Sequence, residues 1–91
     1  MAGYTKDKDE LRRRLSRVEG QVRGLQRMVS DDRYCIDVLT QVSAIKAALD
    51  RVALLLIDDH VGSCVVAAVR AGRGEDKLRE LSLAISRYVG T

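Results

Sequence analysis

From about residue 7 onward, apolar residues recur along the chain at helical spacing. Leu11, Leu15, Val18, Val22, Leu25, Met28 and Val29 draw one stripe on a helix of 3.6 residues per turn. Gly20 and Gly24 lie inside it, each costing about 1 kcal/mol relative to alanine. Ser30, Asp31 and Asp32 end this helix and offer side chains suited to capping the next. A second stripe of Cys35, Leu39, Val42, Ile45, Leu49, Val52, Leu56, His60 and Cys64 predicts a long helix over about 34–71. Gly62 is its single internal breaker, and the helix is expected to run through it. Gly72-Arg73-Gly74 is a stop signal. Leu78, Leu81, Ile85 and Val89 then place a short third helix over about 75–88. Residues 1–6 read as a flexible tail, and 1–91 as one domain.

The predicted fold class is therefore all-α, with two long helices and one short C-terminal helix. The second helix would span about 55 Å at 1.5 Å per residue. Its apolar face exceeds what the first helix can cover. An antiparallel dimer closing a four-helix bundle is the simplest remedy.

Composition sharpens this picture. The chain has 91 residues and no proline, tryptophan or phenylalanine, so its core must be built from aliphatic side chains and alanine. The 32% of charged and 46% of hydrophobic residues suit a globular domain rather than a disordered one. The opening ten residues are polar, unlike a secretory leader, and the longest uninterrupted apolar run is too short to cross a bilayer. A cytoplasmic location without membrane attachment is expected. In that compartment two cysteines are more often thiols or ligands than a disulfide. The net charge of +3 is unevenly spread: residues 11–17 hold four arginines, while acids gather at Asp31-Asp32 and Asp58-Asp59. A basic helical face of this kind fits a polyanionic partner.

His60 and Cys64 are one turn apart on one helix face and can grip the same ion. The pair alone is equally well explained by a buried cysteine and a satisfied histidine. Cys35 changes the balance, because it lies on the same stripe. On a continuous helix it stands about 37 Å from His60, far beyond metal–ligand bonds of about 2.0–2.3 Å. An antiparallel partner would bring Cys35 of one protomer to His60 and Cys64 of the other, giving two equivalent sites per dimer. Two thiolates and an imidazole favour soft ions, and three ligands suit trigonal Cu(I). Zinc stays open on chemistry alone, with Asp58 or Asp59 as a fourth ligand.

The segments Arg14-Leu15-Ser16-Arg17-Val18-Glu19-Gly20-Gln21-Val22-Arg23-Gly24, Tyr34-Cys35-Ile36-Asp37-Val38-Leu39-Thr40-Gln41-Val42-Ser43-Ala44 and Asp59-His60-Val61-Gly62-Ser63-Cys64 carry a resemblance. In them the chain resembles the CsoR-type copper-sensing repressors of the wider CsoR/RcnR family, over nearly its whole length. The resemblance implies a Cu(I)-responsive repressor with Cys35, His60 and Cys64 as ligands. It implies Tyr34 and Glu80 as an outer pair linking the metal to DNA release, and Arg14 and Arg51 as DNA contacts. It further implies dimers paired into homotetramers, without a helix-turn-helix. To the DNA face we add Arg17, with Lys46 as a helper. The expected partner is double-stranded operator DNA, bound by the apo form and released on Cu(I) binding.

Other readings compete. Cys35 and Cys64 could form a thiol or persulfide switch across the interface. The protein could be a copper or zinc buffer that never touches DNA. A cysteine–histidine nucleophile is disfavoured, since a small all-helical chain offers little pocket; no enzymatic activity is expected.

Overall fold

The computed structural model describes residues 3–90. After a 3-10 turn at Thr5–Asp7, helix α1 spans Lys8–Ser30 and α2 spans Cys35–His60. A π-helical turn over Val61–Val65 leads into α3, Val66–Arg70, and α4 follows at Gly74–Val89. There is no strand among the described residues. Three helical rods result, because α2, the π turn and α3 form one uninterrupted rod, as the residue pattern predicts. The wide turn is the departure. A Cβ at Gly62 would meet nothing within 4 Å, so crowding does not impose it. Glycine's weak helix preference lets the ladder slip to i→i+5 bonds there.

The link between α1 and α2 also differs from expectation. Asp32 adopts a left-handed conformation with φ of 55°, which aspartate tolerates better than most residues. Tyr34 occupies the position before α2, with no side-chain cap bond. Asp31 and Asp32 therefore turn the chain rather than cap the helix. At the other corner Gly72, at φ 77°, ends α3 as expected.

Leu11 and Val18 of α1 and Ile45 and Val52 of α2 are buried where these two helices pack, and Val65 and Ala68 are the other buried apolar residues, on the segment that meets α4. Helix α4 contributes no buried residue. Its Tyr88 hydroxyl donates to Asp50 Oδ1 at 2.5 Å, tying its end to the middle of α2. The Cα envelope measures 56 × 30 × 13 Å, so the rods lie in a single layer. The radius of gyration is 17.1 Å, against about 12 Å for a compact chain of this length. The accessible surface is 7011 Å², some 1,700 Å² more than the roughly 5,300 Å² typical of a folded monomer of this mass. Many large apolar side chains are exposed. Val42, Leu49 and Leu56 stand seven residues apart along α2, all exposed, and Leu39 continues their line. The pattern is that of a helix seam without its partner.

The rod Cys35–Arg70 is long and apolar enough to cross a membrane by length and composition alone, a test that the core helix of a soluble protein also passes. Lys46, Asp50, Arg51, Asp58 and Asp59 interrupt the run in sequence. Apolar residues nonetheless fall on more than one face of the helix: Ile45 is buried, while Ile36 and Leu54, half a circle away, are exposed.

Candidate metal centre and arginine cleft

His60 closes α2 and Cys64 lies within the π turn. Four residues overshoot a full α turn by about 40° and fall about 30° short of a π turn, so the two side chains keep a common face in either geometry. Cys64 is half-buried, Cys35 is exposed, and both are free thiols. Among the described residues, no group of three or more His, Cys, Asp or Glu side chains in one chain could hold a metal ion. The reason is distance: Cys35 opens α2 and His60 ends it, about 37 Å apart on an unbroken helix. The donor set still fits a soft ion, provided Cys35 comes from a second chain.

Residues 3–6, expected to belong to a loose tail, lie beside the π turn; Met1 and Ala2 lie outside the described residues. Gly3 is buried at φ 90°, and a Cβ placed on it would come within 2.9 Å of Cys64 Sγ and 3.9 Å of His60 Cα. Only glycine fits so close to the thiol in that conformation. Tyr4 shares a groove with Leu56, Ile57, His60, Glu80 and Leu81. Lys6 approaches Asp59 at 3.9 Å. Asp59 is 3% exposed, and its Oδ2 has no hydrogen-bond partner. Burial pushes its carboxyl above the usual carboxylate range, and the neighbouring Asp7 carboxyl raises it further. Asp59 thus faces the N-terminal segment. No spacing or motif signals Gly3, Tyr4 or Asp7 as neighbours of this site, because these are tertiary contacts of a short polar stretch.

Glu80 does share the groove of His60 and forms an ion pair with Lys77 at 3.4 Å. Tyr34 is 66% exposed at the far end of α2, so one chain does not bring it to Glu80. Like Cys35, it could arrive only from another copy.

A separate cleft of about 360 Å³ opens between α1 and α2, lined by Arg14, Arg17, Gln21, Ala44, Ala47, Ala48 and Arg51. Three of the four residues expected to contact DNA therefore converge. Lys46 does not join them; it lines a largely apolar groove with Leu49, Asp50, Val52 and Tyr88. Arg51, one α turn and more beyond it, is about 140° around the helix. Arg14 Nε donates to Glu10 Oε1 at 2.9 Å, and Arg13 also binds Glu10. The Arg13 hydrogen bond, with Arg14 beside it, holds the Glu10 carboxyl below its ordinary range.

This fold and these sites define a class: a small all-helical protein with a thiol–imidazole pair at one end of a long helix and a basic cleft along it. Residues 7–87 match the model of the metal-sensitive transcriptional repressors. The copper-sensing transcriptional repressor RicR of Mycobacterium tuberculosis is 57% identical over 89 residues, covering 96% of this chain and 93% of its own. The copper-sensing repressor CsoR of Bacillus subtilis is 52% identical over 77 residues, covering 85% and 76%. Among solved structures, the Cu(I)-bound CsoR of Geobacillus thermodenitrificans superposes with a TM-score of 0.86 at 49% identity, covering 92% of this chain and 88% of that one. The nickel-responsive regulator InrS gives 0.75 at 46%, covering 88% and 90%. The chain belongs to the metal-sensitive transcriptional repressor family. Repression of transcription is a non-enzymatic role.

Proposed function

We propose that this protein is a Cu(I)-responsive repressor of the cytoplasm, binding operator DNA when metal-free and releasing it when Cu(I) is held by Cys35 of one protomer with His60 and Cys64 of its partner. One observation carries the reading: His60 and Cys64 share a face at one end of a rod whose other end presents Cys35 as an exposed free thiol. High identity to repressors named copper-sensing supports copper over nickel. The working unit is an antiparallel dimer, two of which pair into a tetramer. The excess surface and the exposed seam of α2 support association.

Cys35 of one protomer with His60 and Cys64 of its partner would hold Cu(I), which would supply a soft-ion link between the two chains. The chain's own residues do the rest. A hydrogen bond from the ring nitrogen that does not bind the ion would orient His60; Glu80 shares its groove, and Tyr34 would have to come from the second protomer. Helix α4, which carries Glu80, is tied through Tyr88 to Asp50, the neighbour of Arg51. A shift of α4 is thereby felt at the DNA face. Arg14, Arg17 and Arg51 contact phosphates.

The test is duplex binding by the apo and Cu(I)-loaded protein, for wild type and His60→Ala. Copper should weaken wild-type binding by about 10-fold or more, on the scale of 1–3 kcal/mol couplings, and should leave the variant's binding unchanged. A copper response that survives in His60→Ala would favour the thiol-switch reading instead.

A further inference from the structure

The α1–α2 cleft is unusual for a helix–helix contact. A packed interface closes its gaps with aliphatic side chains, yet here α2 presents Ala44, Ala47 and Ala48 and leaves about 360 Å³ open. A single water needs only about 10–15 Å³. Three arginines line this opening. Arg14 is balanced by Glu10, whereas Arg17 and Arg51 make no ion pair among the described residues. Gln21 joins them with a side-chain oxygen that is buried and has no hydrogen-bond partner. An unpaired buried amide oxygen costs about 1–3 kcal/mol. The side chain lines the same opening, and its amide nitrogen carries two N–H donors. Unbalanced cations, an idle amide and an alanine floor together describe a receptor that lacks its anion.

We propose that the cleft is a recessed phosphate seat. One backbone phosphate of the DNA enters between α1 and α2, held by Arg14, Arg17 and Arg51, and the Gln21 amide donates the remaining hydrogen bond. Ala44, Ala47 and Ala48 are binding determinants by their smallness: they keep the seat deep enough for the phosphate to leave bulk water. Guanidinium–phosphate bonds formed inside such a recess are stronger than those on an open helix face. Gln21 and the three alanines thus join a DNA site that charge alone would confine to basic residues. The proposal rests on the DNA-binding reading above.

The test uses the full-length apo-protein, a mixed-sequence 30-base-pair duplex at low salt, and inorganic pyrophosphate as a minimal anion. Ala47→Leu fills the seat and should weaken duplex binding at least about 10-fold. It should also lower the slope of log affinity against log salt by about one for each phosphate lost. Helicity and Cu(I) affinity should stay at wild-type values. Titrating pyrophosphate into the wild type should shift the Gln21 side-chain amide and the Nε–H resonances of Arg14, Arg17 and Arg51 together. This arm stands even if Ala47→Leu does not fold. Wild-type protein that ignores the duplex would sink the DNA reading itself. Wild-type protein that binds the duplex, with no Gln21 shift and an unaffected Ala47→Leu variant, would overturn the seat alone.

Discussion

Replacing Leu49 by glutamate should dissociate the protein and remove its copper site together, although Leu49 is not a ligand. Leu49 sits at the centre of the exposed α2 seam and is 41% exposed in the single chain. Complete burial of a leucine contributes about 1.5–3 kcal/mol. Covering the remaining two-fifths against a partner therefore contributes about 0.6–1.2 kcal/mol per chain, and a two-fold interface counts it twice. The glutamate imposes a greater penalty, because symmetry brings two carboxylates into the seam and each costs several kcal/mol to desolvate. The dimer should weaken by at least about 5 kcal/mol, more than a thousandfold in its dissociation constant. Sedimentation equilibrium measures this directly, and a competing Cu(I) chelator measures the site. The single chain tolerates the change, since the side chain already meets solvent, so circular dichroism controls for helicity. A variant that stays dimeric at micromolar concentration, or a monomer that holds Cu(I) as tightly as wild type, would refute the reasoning.

The N-terminal segment supports two more predictions. Gly3→Val puts a branched side chain where a Cβ already lies within 2.9 Å of Cys64 Sγ, at a φ of 90° that valine rejects. The segment should lift away, and Cys64 should react several-fold faster with an aromatic disulfide reagent in the apo-protein; an unchanged rate would mean that Gly3 does not shield it. Asp59 has its carboxyl raised chiefly by burial. A raised folded value means that its contribution is fully present below the unfolded carboxylate range and is lost as pH rises through the folded value. Asp59→Asn should therefore flatten the decline in melting temperature from about pH 4 toward 7 and melt higher than wild type near neutrality. Parallel curves for the two proteins would contradict this.

Local patterns make much of this molecule legible. The steps of three and four between apolar residues place the rods, because a helix face must repeat every 3.6 residues whatever it packs against. The candidate ligands are legible for the same reason: once α2 is a single rod, Cys35 and His60 must lie at opposite ends. Other features depend on contacts that spacing does not encode. The π turn shifts hydrogen bonds by one residue and leaves Val61–Val65 on nearly the same faces, so periodicity is blind to it. The placement of residues 3–6 beside Cys64 and Asp59 is a tertiary contact across the chain. Lys46 shares the charge of Arg51, while the helix turns the two apart. Gln21 carries no charge and so no signal, and the alanines of the cleft become visible only once α1 lies beside them.

The central claim is that each metal site is shared between chains, and mixing two defective chains tests it most directly. Cys35→Ser lacks one donor, and the double variant His60→Ala, Cys64→Ser lacks the other two. In a mixed dimer, the intact Cys35 of the second chain can meet the intact His60 and Cys64 of the first. The mixture should therefore recover tight Cu(I) binding at one ion per mixed dimer, while either variant alone binds none tightly. If mixing restores nothing, or if either variant alone keeps wild-type affinity, the shared-site account is wrong.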